Sequence, residues 1–289
     1  MSLVDLFAEV EERSTITELP AERPLPPEAR AGRVISVWGS AGSGKTMLAL
    51  NLSFQFAQNG HSALLIDLDS RRPSLSAALG IVDPGAGITA VTRLARKNRL
   101  DRLELFRLSH ELKFEKKSMQ FLSGLNSPSR FGELGEGEVR ELLKLGAMEF
   151  DFVVLDLNNE LSSTDISGDS GTLRNQAQLS AIEASDIVLG VFMADPVGVN
   201  RFLQDLKSQP YEVWPIANRV RSSVLGRNPE RQIRDTFHHS TKTQVRFSLP
   251  EDSAALDVAM LRAQPLCLSA KNSKLAEAIR ILSLELSDA

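Results

Sequence analysis

Residues 34–57 read VISVW GSAGSGKT MLALNLSFQFA, and this stretch decides the fold. The mostly apolar run Val34–Trp38 predicts a buried strand. The eight residues that follow match the pattern G-x-x-x-x-G-K-[ST], and a helical apolar pattern continues over Met47–Ala57. Glycines in such a loop let successive N–H groups point at one anion, and the positive end of the next helix adds to the attraction. The stretch therefore predicts a strand, a phosphate-binding loop and a helix, in that order.

The loop residues and the start of the helix form the predicted nucleotide-binding set. Lys45 is expected to reach the β- and γ-phosphates, and the Thr46 hydroxyl is expected to coordinate Mg²⁺. The full set is Gly39, Ser40, Ala41, Gly42, Ser43, Gly44, Lys45, Thr46 and Met47.

Strand-like apolar runs alternate with helical periods along the rest of the chain. Further strands are predicted at Ala63–Asp67, Met119–Leu122, Phe152–Asp156, Ile187–Phe192, Val213–Ala217 and Val245–Leu249. Helices are predicted at Gly137–Leu145, Leu173–Ala184, Gly198–Lys207, Glu230–Phe237, Asp252–Arg262 and Ser273–Leu286. Such alternation indicates an α/β fold with a mostly parallel sheet and helices on both faces.

Composition limits the class of protein. The 289 residues are 42% hydrophobic and 24% charged, which is typical of a soluble globular chain and argues against wholesale disorder. Cys267 is the single cysteine, which excludes an intrachain disulfide and a thiolate zinc cage. No run reaches the roughly 18 apolar residues of a membrane span. We therefore expect a cytoplasmic protein without an integral membrane segment.

Residues 1–31 differ in composition from residues 32–289 and are predicted to form a separate tail. They contain a short apolar stripe at helical spacing, Leu3, Leu6, Phe7 and Val10, followed by a proline-rich stretch. The tail holds the whole net charge of −4, so the remainder is neutral and its overall charge gives no argument for nucleic-acid binding. A docking helix on a stiff linker and a frayed end both remain open as interpretations of the tail.

Acidic residues follow two of the predicted strands. Asp156 ends Phe152–Asp156 and is a candidate anchor for the magnesium ion beside a phosphate loop. Asp67 and Asp69 close the strand after the phosphate-loop helix, where an acid can face the γ-phosphate. A cap or turn role is the common alternative for a single aspartate at a strand end.

From about Arg33 to the C-terminus the sequence resembles the MinD/ParA family of P-loop ATPases, within the SIMIBI class of P-loop NTPases. The resemblance rests on the phosphate loop and on HSALLIDLDSRRPSLSAALGI, FDFVVLDL, AIEASDIVLGVFMADPVGVNRF, IANRV and FSLPEDSAALDVAMLRAQPL. It is nearest to the atypical CpaE/TadZ-like branch, which helps to place Tad/Flp pilus machinery and includes actinobacterial septum-site and partitioning-like proteins.

The resemblance implies roles for particular residues. Asp69 would be the catalytic acid that holds the attacking water, with Asp67 behind the metal and with Thr46 and Asp156 as further magnesium-binding residues. Asn218 resembles an asparagine that contacts the adenine edge, and the loop from Pro250 to Asp252 resembles one that closes over the base. A loop cap is the structural alternative for Asn218.

One position departs from the family pattern. Members with the deviant phosphate loop carry an early lysine that reaches the partner's phosphates in an ATP-bound dimer, and this chain has Ser40 there. A charge supplied in trans can raise the hydrolysis rate by orders of magnitude, so we expect weak or partner-dependent hydrolysis.

Two further segments have features that bear on function. The segment after Asp156 lacks the family's Asp-Thr-Pro-Pro sequence, and the polar run Ser162–Thr172 behind it is predicted to act as a lid. A basic group could bind DNA as in ParA-like proteins, although a solvated helix face is the favoured interpretation; its members are Arg219, Arg221, Arg227, Arg231 and Arg234.

The resemblance implies an ATP- and Mg²⁺-dependent homodimer that positions a membrane-bound assembly such as a Tad/Flp pilus complex. A protein partner would recruit it to the pole or membrane. Two alternatives stay open: a ParA-like partition ATPase with weak DNA binding, and a small-molecule kinase or ligase that uses the same loop, as dethiobiotin synthetase does.

Overall fold

A computed structural model describes residues 32–159, 169–207, 211–240 and 243–289. The predicted tail, residues 1–31, lies outside these ranges. Residues 162–168 of the predicted lid also lie outside them, whereas residues 169–172 begin a helix.

Within the described ranges the sheet has eight strands in the order β3-β4-β2-β5-β1-β6-β7-β8. The strands are β1 Arg33–Gly39, β2 Ala63–Asp67, β3 His110–Phe114, β4 Lys117–Leu122, β5 Phe152–Asp156, β6 Ile187–Met193, β7 Trp214–Val220 and β8 Phe247–Pro250. Every neighbouring pair is parallel except β3 with β4. The predicted α/β fold with a mostly parallel sheet is thus confirmed.

Helices connect the strands. They are α1 Lys45–Gln58, α2 Leu75–Ala78, α3 Gly87–Arg96, α4 Arg102–Leu108, α5 Glu136–Glu149, α6 Asp169–Glu183, α7 Pro196–Lys207, α8 Ser222–Leu225, α9 Pro229–Ser240, α10 Ser253–Leu261, α11 Leu266–Ser269 and α12 Lys274–Asp288. A 3₁₀ turn spans Pro128–Glu133.

The central strands are apolar because both faces of the sheet are covered. In β5 all five residues are buried; Val153 and Leu155 point into one core, and Phe152 and Val154 point into the other. The core around Phe152 and Val154 is completed by helices α1, α10, α11 and α12. The core around Val153 and Leu155 is completed by helices α3, α5, α6, α7 and α9. The last helix, α12, packs on the sheet through a buried face that includes Ile279 and Leu282.

Parallel pairing places functional strand ends at one edge. β1 lies between β5 and β6, with Val37 in register with Asp156 and Gly39 in register with Val191. β2 lies on the other side of β5, where Asp67 is in register with Asp156. Because the carboxyl ends of parallel strands meet at one edge, the phosphate loop and the predicted aspartates become neighbours.

Candidate nucleotide-binding site

The phosphate loop is shaped by close backbone packing. Gly44 lies just before α1 with φ +94°, and a Cβ atom there would come within 2.3 Å of Asn218 Nδ2. A Cβ atom on Gly39 would come within 2.1 Å of the Val191 carbonyl oxygen on β6. Both positions therefore require glycine.

The loop exposes its tip and buries its base. Ala41 and Gly42 are exposed, Ser40 is partly exposed and Ser43 is buried. Met47, in the first turn of α1, packs against the core on that side of the sheet. The tip is thus open to a ligand, while the base is fixed to the domain.

Lys45 faces the carboxylates that follow the strands, and its predicted contact with phosphate stays a prediction. Its ammonium lies 3.6 Å from Asp69 Oδ2, and both side chains are largely buried. Asp69 Oδ1 accepts hydrogen bonds of 2.9 Å from the N–H groups of Arg71 and Arg72. These two bonds define the shape of the loop that follows β2.

Asp67 is held by the backbone of the same loop. Its Oδ1 accepts from the Asp69 N–H at 3.2 Å, and its Oδ2 accepts from Ser74 and Leu75 at 3.0 Å each. Gly124 packs directly against it, since a Cβ atom there would lie 2.9 Å from Asp67 Cγ. Burial raises the pKa of Asp67 to about 7, and the Leu75 hydrogen bond opposes that rise. Asp67 therefore anchors the loop that carries Asp69.

Asp156 lies at the centre of the sheet edge and is fully buried. Neither of its carboxylate oxygens accepts a hydrogen bond of ordinary geometry from the part of the chain that the structure describes, and the Thr46 side chain lies close to it. Burial raises the pKa of Asp156 to about 8, against the opposing effect of the nearby Lys45 ammonium. A buried carboxylate with open acceptor positions next to a phosphate loop fits a hydrated magnesium ion, because Mg²⁺ combines few carboxylates with waters and phosphates.

No all-protein metal cage is present in the described ranges, where no group of three or more His, Cys, Asp and Glu side chains could hold a metal ion.

Asn218 lies on β7 against the phosphate loop. Its Nδ2 donates to the Ser43 carbonyl at 2.7 Å, and its Oδ1 accepts from the Arg219 N–H at 2.8 Å. Arg219 has a left-handed backbone, φ +57°, which costs energy for a residue other than glycine. The predicted base contact is thus a residue that also braces the loop.

The predicted base-closing residues lie at the same edge, beyond β7. Pro250 ends β8, and Asp252 is the N-cap of α10, where its side chain accepts from the Ala255 N–H at 3.0 Å. Asp252 therefore has a capping role in this structure, and the base contact stays a prediction.

The structure also shows a buried polar cluster behind the aspartates. Asn158, Gln178 and Ser70 are fully buried and hydrogen-bonded to one another or to nearby backbone. The sequence marks the residues after Asp156 as unusual but does not by itself indicate a role for Gln178. The available signal was a pair of polar residues, Asn175 and Gln178, on the buried face of α6.

Comparison with known proteins identifies the family. Residues 34–261 match the family model of the CobQ/CobB/MinD/ParA nucleotide binding domain. No curated protein matches the chain.

Solved structures share the fold. A ParA family ATPase from Chlorobium tepidum is 17% identical with a TM-score of 0.73, covering 89% of this chain and 100% of its own. The cell division ATPase MinD of Pyrococcus furiosus is 20% identical with a TM-score of 0.68, covering 89% and 99%. The septum site-determining protein MinD of Pyrococcus horikoshii, complexed with Mg-ADP, is 21% identical with a TM-score of 0.67, covering 88% and 96%.

The match extends over most of the chain and includes the strand, phosphate loop and aspartates whose geometry is given above. This chain belongs to the CobQ/CobB/MinD/ParA nucleotide-binding family.

Proposed function

We propose that the chain is an ATP- and Mg²⁺-binding switch that dimerises with ATP, hydrolyses it slowly and positions a cellular assembly. The observation that supports this most directly is the complete phosphate loop, with Lys45 directed at Asp69 and with Asp156 buried beside it. Membership of the family makes nucleotide binding the expected activity.

Each part of the site has a proposed task. The backbone from Gly39 to Met47 binds the phosphates, and Lys45 neutralises the β- and γ-phosphates. Thr46 and Asp156, the latter through water, hold Mg²⁺, which neutralises developing charge when it is bound. Asp69 positions the attacking water. For this task its carboxylate has to leave the Lys45 ammonium that it contacts in this structure.

Asp67 is the second proposed catalytic acid, placed behind the metal. Its oxygens already accept three backbone N–H groups, so its contribution is to hold the Asp69 loop in place. Asn218, Pro250 and Asp252 form the proposed adenine side of the site. Asn218 can serve both roles only if base binding preserves or replaces its bond to Ser43.

Ser40 is the reason for proposing slow hydrolysis. Its hydroxyl carries no charge, so an ATP-bound partner would receive no ammonium from this position. The hydrolysis rate then depends on groups supplied by another protein.

The finer assignment is a CpaE/TadZ-like role in placing a Tad/Flp pilus system. A protein partner at the pole or membrane would recruit the cytoplasmic chain. In the described part of the chain no helix is long and apolar enough to cross a bilayer.

The decisive experiment measures oligomeric mass by light scattering with ATP and Mg²⁺, with ADP, and without nucleotide, alongside phosphate release. We expect the wild type to be a dimer with ATP and Mg²⁺ and a monomer with ADP or without nucleotide. Lys45→Ala should be a monomer in all three conditions. Lys144→Ala removes an exposed lysine on α5 and should behave like wild type. A wild-type dimer that forms without nucleotide, or no response to ATP, would contradict the proposal.

A second candidate is ATP-dependent DNA binding. Its support is a group of exposed arginines near α9, namely Arg227, Arg231 and Arg234. Part of this charge is balanced, because Arg231 lies 3.5 Å from Asp235 and Arg221 lies 3.2 Å from Glu251. Salt-sensitive DNA binding with ATP that is lost in Arg227→Ala/Arg234→Ala would favour this candidate.

A further inference from the structure

A buried polar network connects the Asp69 loop with the residues after β5 and with α6. We call it the Gln178 network and define it as Leu68, Ser70, Asn158 and Gln178. Its members come from three separate parts of the chain, and all of them are buried. None of these residues is among those assigned above to nucleotide or metal binding.

Gln178 uses both ends of its amide. Its Nε2 donates to the Leu68 carbonyl, and its Oε1 accepts from the Asn158 N–H at 3.1 Å. Both partners are main-chain groups outside strands and helices, so no strand ladder or helix supplies these two bonds. One side chain on α6 thus joins the two loops that follow β2 and β5.

Asn158 and Asp156 add direct links between the same loops. Asn158 Nδ2 donates to Ser70 Oγ at 3.2 Å, and the Leu68 N–H donates to the Asp156 carbonyl at 3.0 Å. Leu68 and Ser70 flank Asp69, whose carboxylate contacts Lys45. A continuous chain of contacts therefore runs from the phosphate-binding lysine to α6.

Helix α6, which carries Gln178, is itself hydrogen-bonded to α5. Arg140 of α5 donates to Ser180 Oγ at 3.0 Å and contacts Glu183 at 2.6 Å, one turn beyond Gln178. The C-terminal half of α6 is thus fixed to α5, and a shift of Leu68 or Ser70 acts on a helix with a defined resting position.

A buried amide at a helix core position is costly unless both of its ends are bonded, and an apolar side chain would fill the space without that requirement. The two bonds of Gln178 lead to different loops, which gives the residue a linking role as well as a packing role. If a γ-phosphate drew Lys45 away from Asp69, the loop residues that Gln178 and Asn158 hold would be free to change position.

We propose that Gln178 is a positioning residue that couples γ-phosphate occupancy at Lys45 to the placement of residues 157–159 and α6. This inference rests on the proposed function, because it requires ATP and ADP to be distinguished at the phosphate loop. It adds the route by which that difference leaves the site.

Hydrogen exchange with mass detection tests the coupling on the full chain. The wild type with Mg²⁺ and adenylyl imidodiphosphate should exchange more slowly over residues 157–159 and α6 than the wild type with ADP. Gln178→Met keeps the length of the side chain but removes both hydrogen bonds. It should abolish the difference between the two nucleotides, while the dissociation constant for ADP changes by less than about threefold and the preference for dimerisation with the ATP analogue falls about tenfold.

Gln176→Met is the matched control, because Gln176 lies on the exposed face of the same helix. It should retain the wild-type difference. Gln178→Met that also retains the difference would overturn the coupling role.

Ser70→Ala provides a second variant if Gln178→Met does not fold. It removes one hydroxyl acceptor and should reduce the exchange difference in α6; an unchanged difference would overturn the proposal. A wild type that dimerises with ATP but shows no nucleotide-dependent exchange in α6 would overturn the coupling while leaving the proposed function intact. A wild type that binds no nucleotide would overturn both.

Discussion

Gly42 and Gly44 have similar left-handed backbones, with φ +78° and +94°, but different surroundings. A Cβ atom on Gly42 would meet nothing within 4 Å, whereas one on Gly44 would collide with Asn218. The two glycines therefore separate the conformational cost of a side chain from its steric effect on the site.

Gly44→Ala and Gly42→Ala should both lose about 1–2 kcal/mol of stability from the left-handed backbone. Only Gly44→Ala also displaces Asn218 from Ser43, so its ATP affinity should fall at least about tenfold further, the equivalent of about 1.4 kcal/mol. Calorimetric titration with ATP and Mg²⁺ checks this difference. Equal affinities in the two variants would show that the Asn218 contact has no part in binding.

Ser40 tests the missing charge at a single position. Ser40→Lys should raise phosphate release at least about tenfold, since a transition-state charge supplied in trans can contribute about 10³–10⁵ in rate. Ser40→Gln has a long neutral side chain and should give no such rise. An unchanged rate of phosphate release in Ser40→Lys would show that the missing charge at position 40 does not limit hydrolysis.

Strands that are covered on both faces of the sheet were predictable from the sequence. The runs for β2 and β5 match the structure residue for residue, because continuous apolar segments of that length fit a covered parallel strand. β3 was missed, since its sequence HELKF mixes charged and apolar residues as an edge strand does. The helical period of α3 was also overlooked.

The sequence predicts individual residues of the site but not the long-range contacts between them. The phosphate-loop motif locates Lys45, but the contact of Asn158 with Ser70 joins residues 88 positions apart, and that of Gln178 with Leu68 joins residues 110 apart. No local pattern encodes such a pair. Asp252 illustrates the converse, because its capping contact with the Ala255 N–H joins residues only three positions apart.

The N-cap of α10 gives a prediction at the scale of an element. Asp252→Ala should lower the free energy of unfolding by about 0.5–2 kcal/mol, because the Ala255 N–H loses its acceptor. Asp257→Ala, in the exposed middle of the same helix, should have little effect. Chemical denaturation measures both. Asp252→Asn preserves the cap, so a loss of ATP affinity in this variant would assign a separate base-binding role to the carboxylate.

At the scale of the whole molecule, the centre of the sheet carries an electrostatic cost. Asp67 and Asp156 are register neighbours with pKa values raised to about 7 and about 8, both by burial. From the usual aspartate pKa up to these values, the folded chain binds more protons than the unfolded chain. The free energy of unfolding of the metal-free chain therefore falls as the pH rises through this window.

Asp156→Asn should weaken this pH dependence. Without metal and nucleotide, the loss of unfolding free energy between about pH 5.5 and about pH 8 should be smaller than in wild type by at least about 1 kcal/mol, close to one pKa unit. Urea denaturation in EDTA at the two pH values gives the comparison. Asp257→Asn, at an exposed site, should keep the wild-type dependence, and an equally steep Asp156→Asn would contradict the assignment.

The central position of β1 has a consequence for synthesis on the ribosome. The phosphate loop is made before its supports, because β1 pairs with β5 and β6, and the Asn218 amide that braces Ser43 lies 175 positions further along the chain. A nascent chain therefore carries the loop long before the strands that shape it exist, and such distant pairings fold slowly. With the proposed function, ATP would stabilise the domain only after Asn218 has been made, so the nucleotide would favour chains that include β7 over shorter ones.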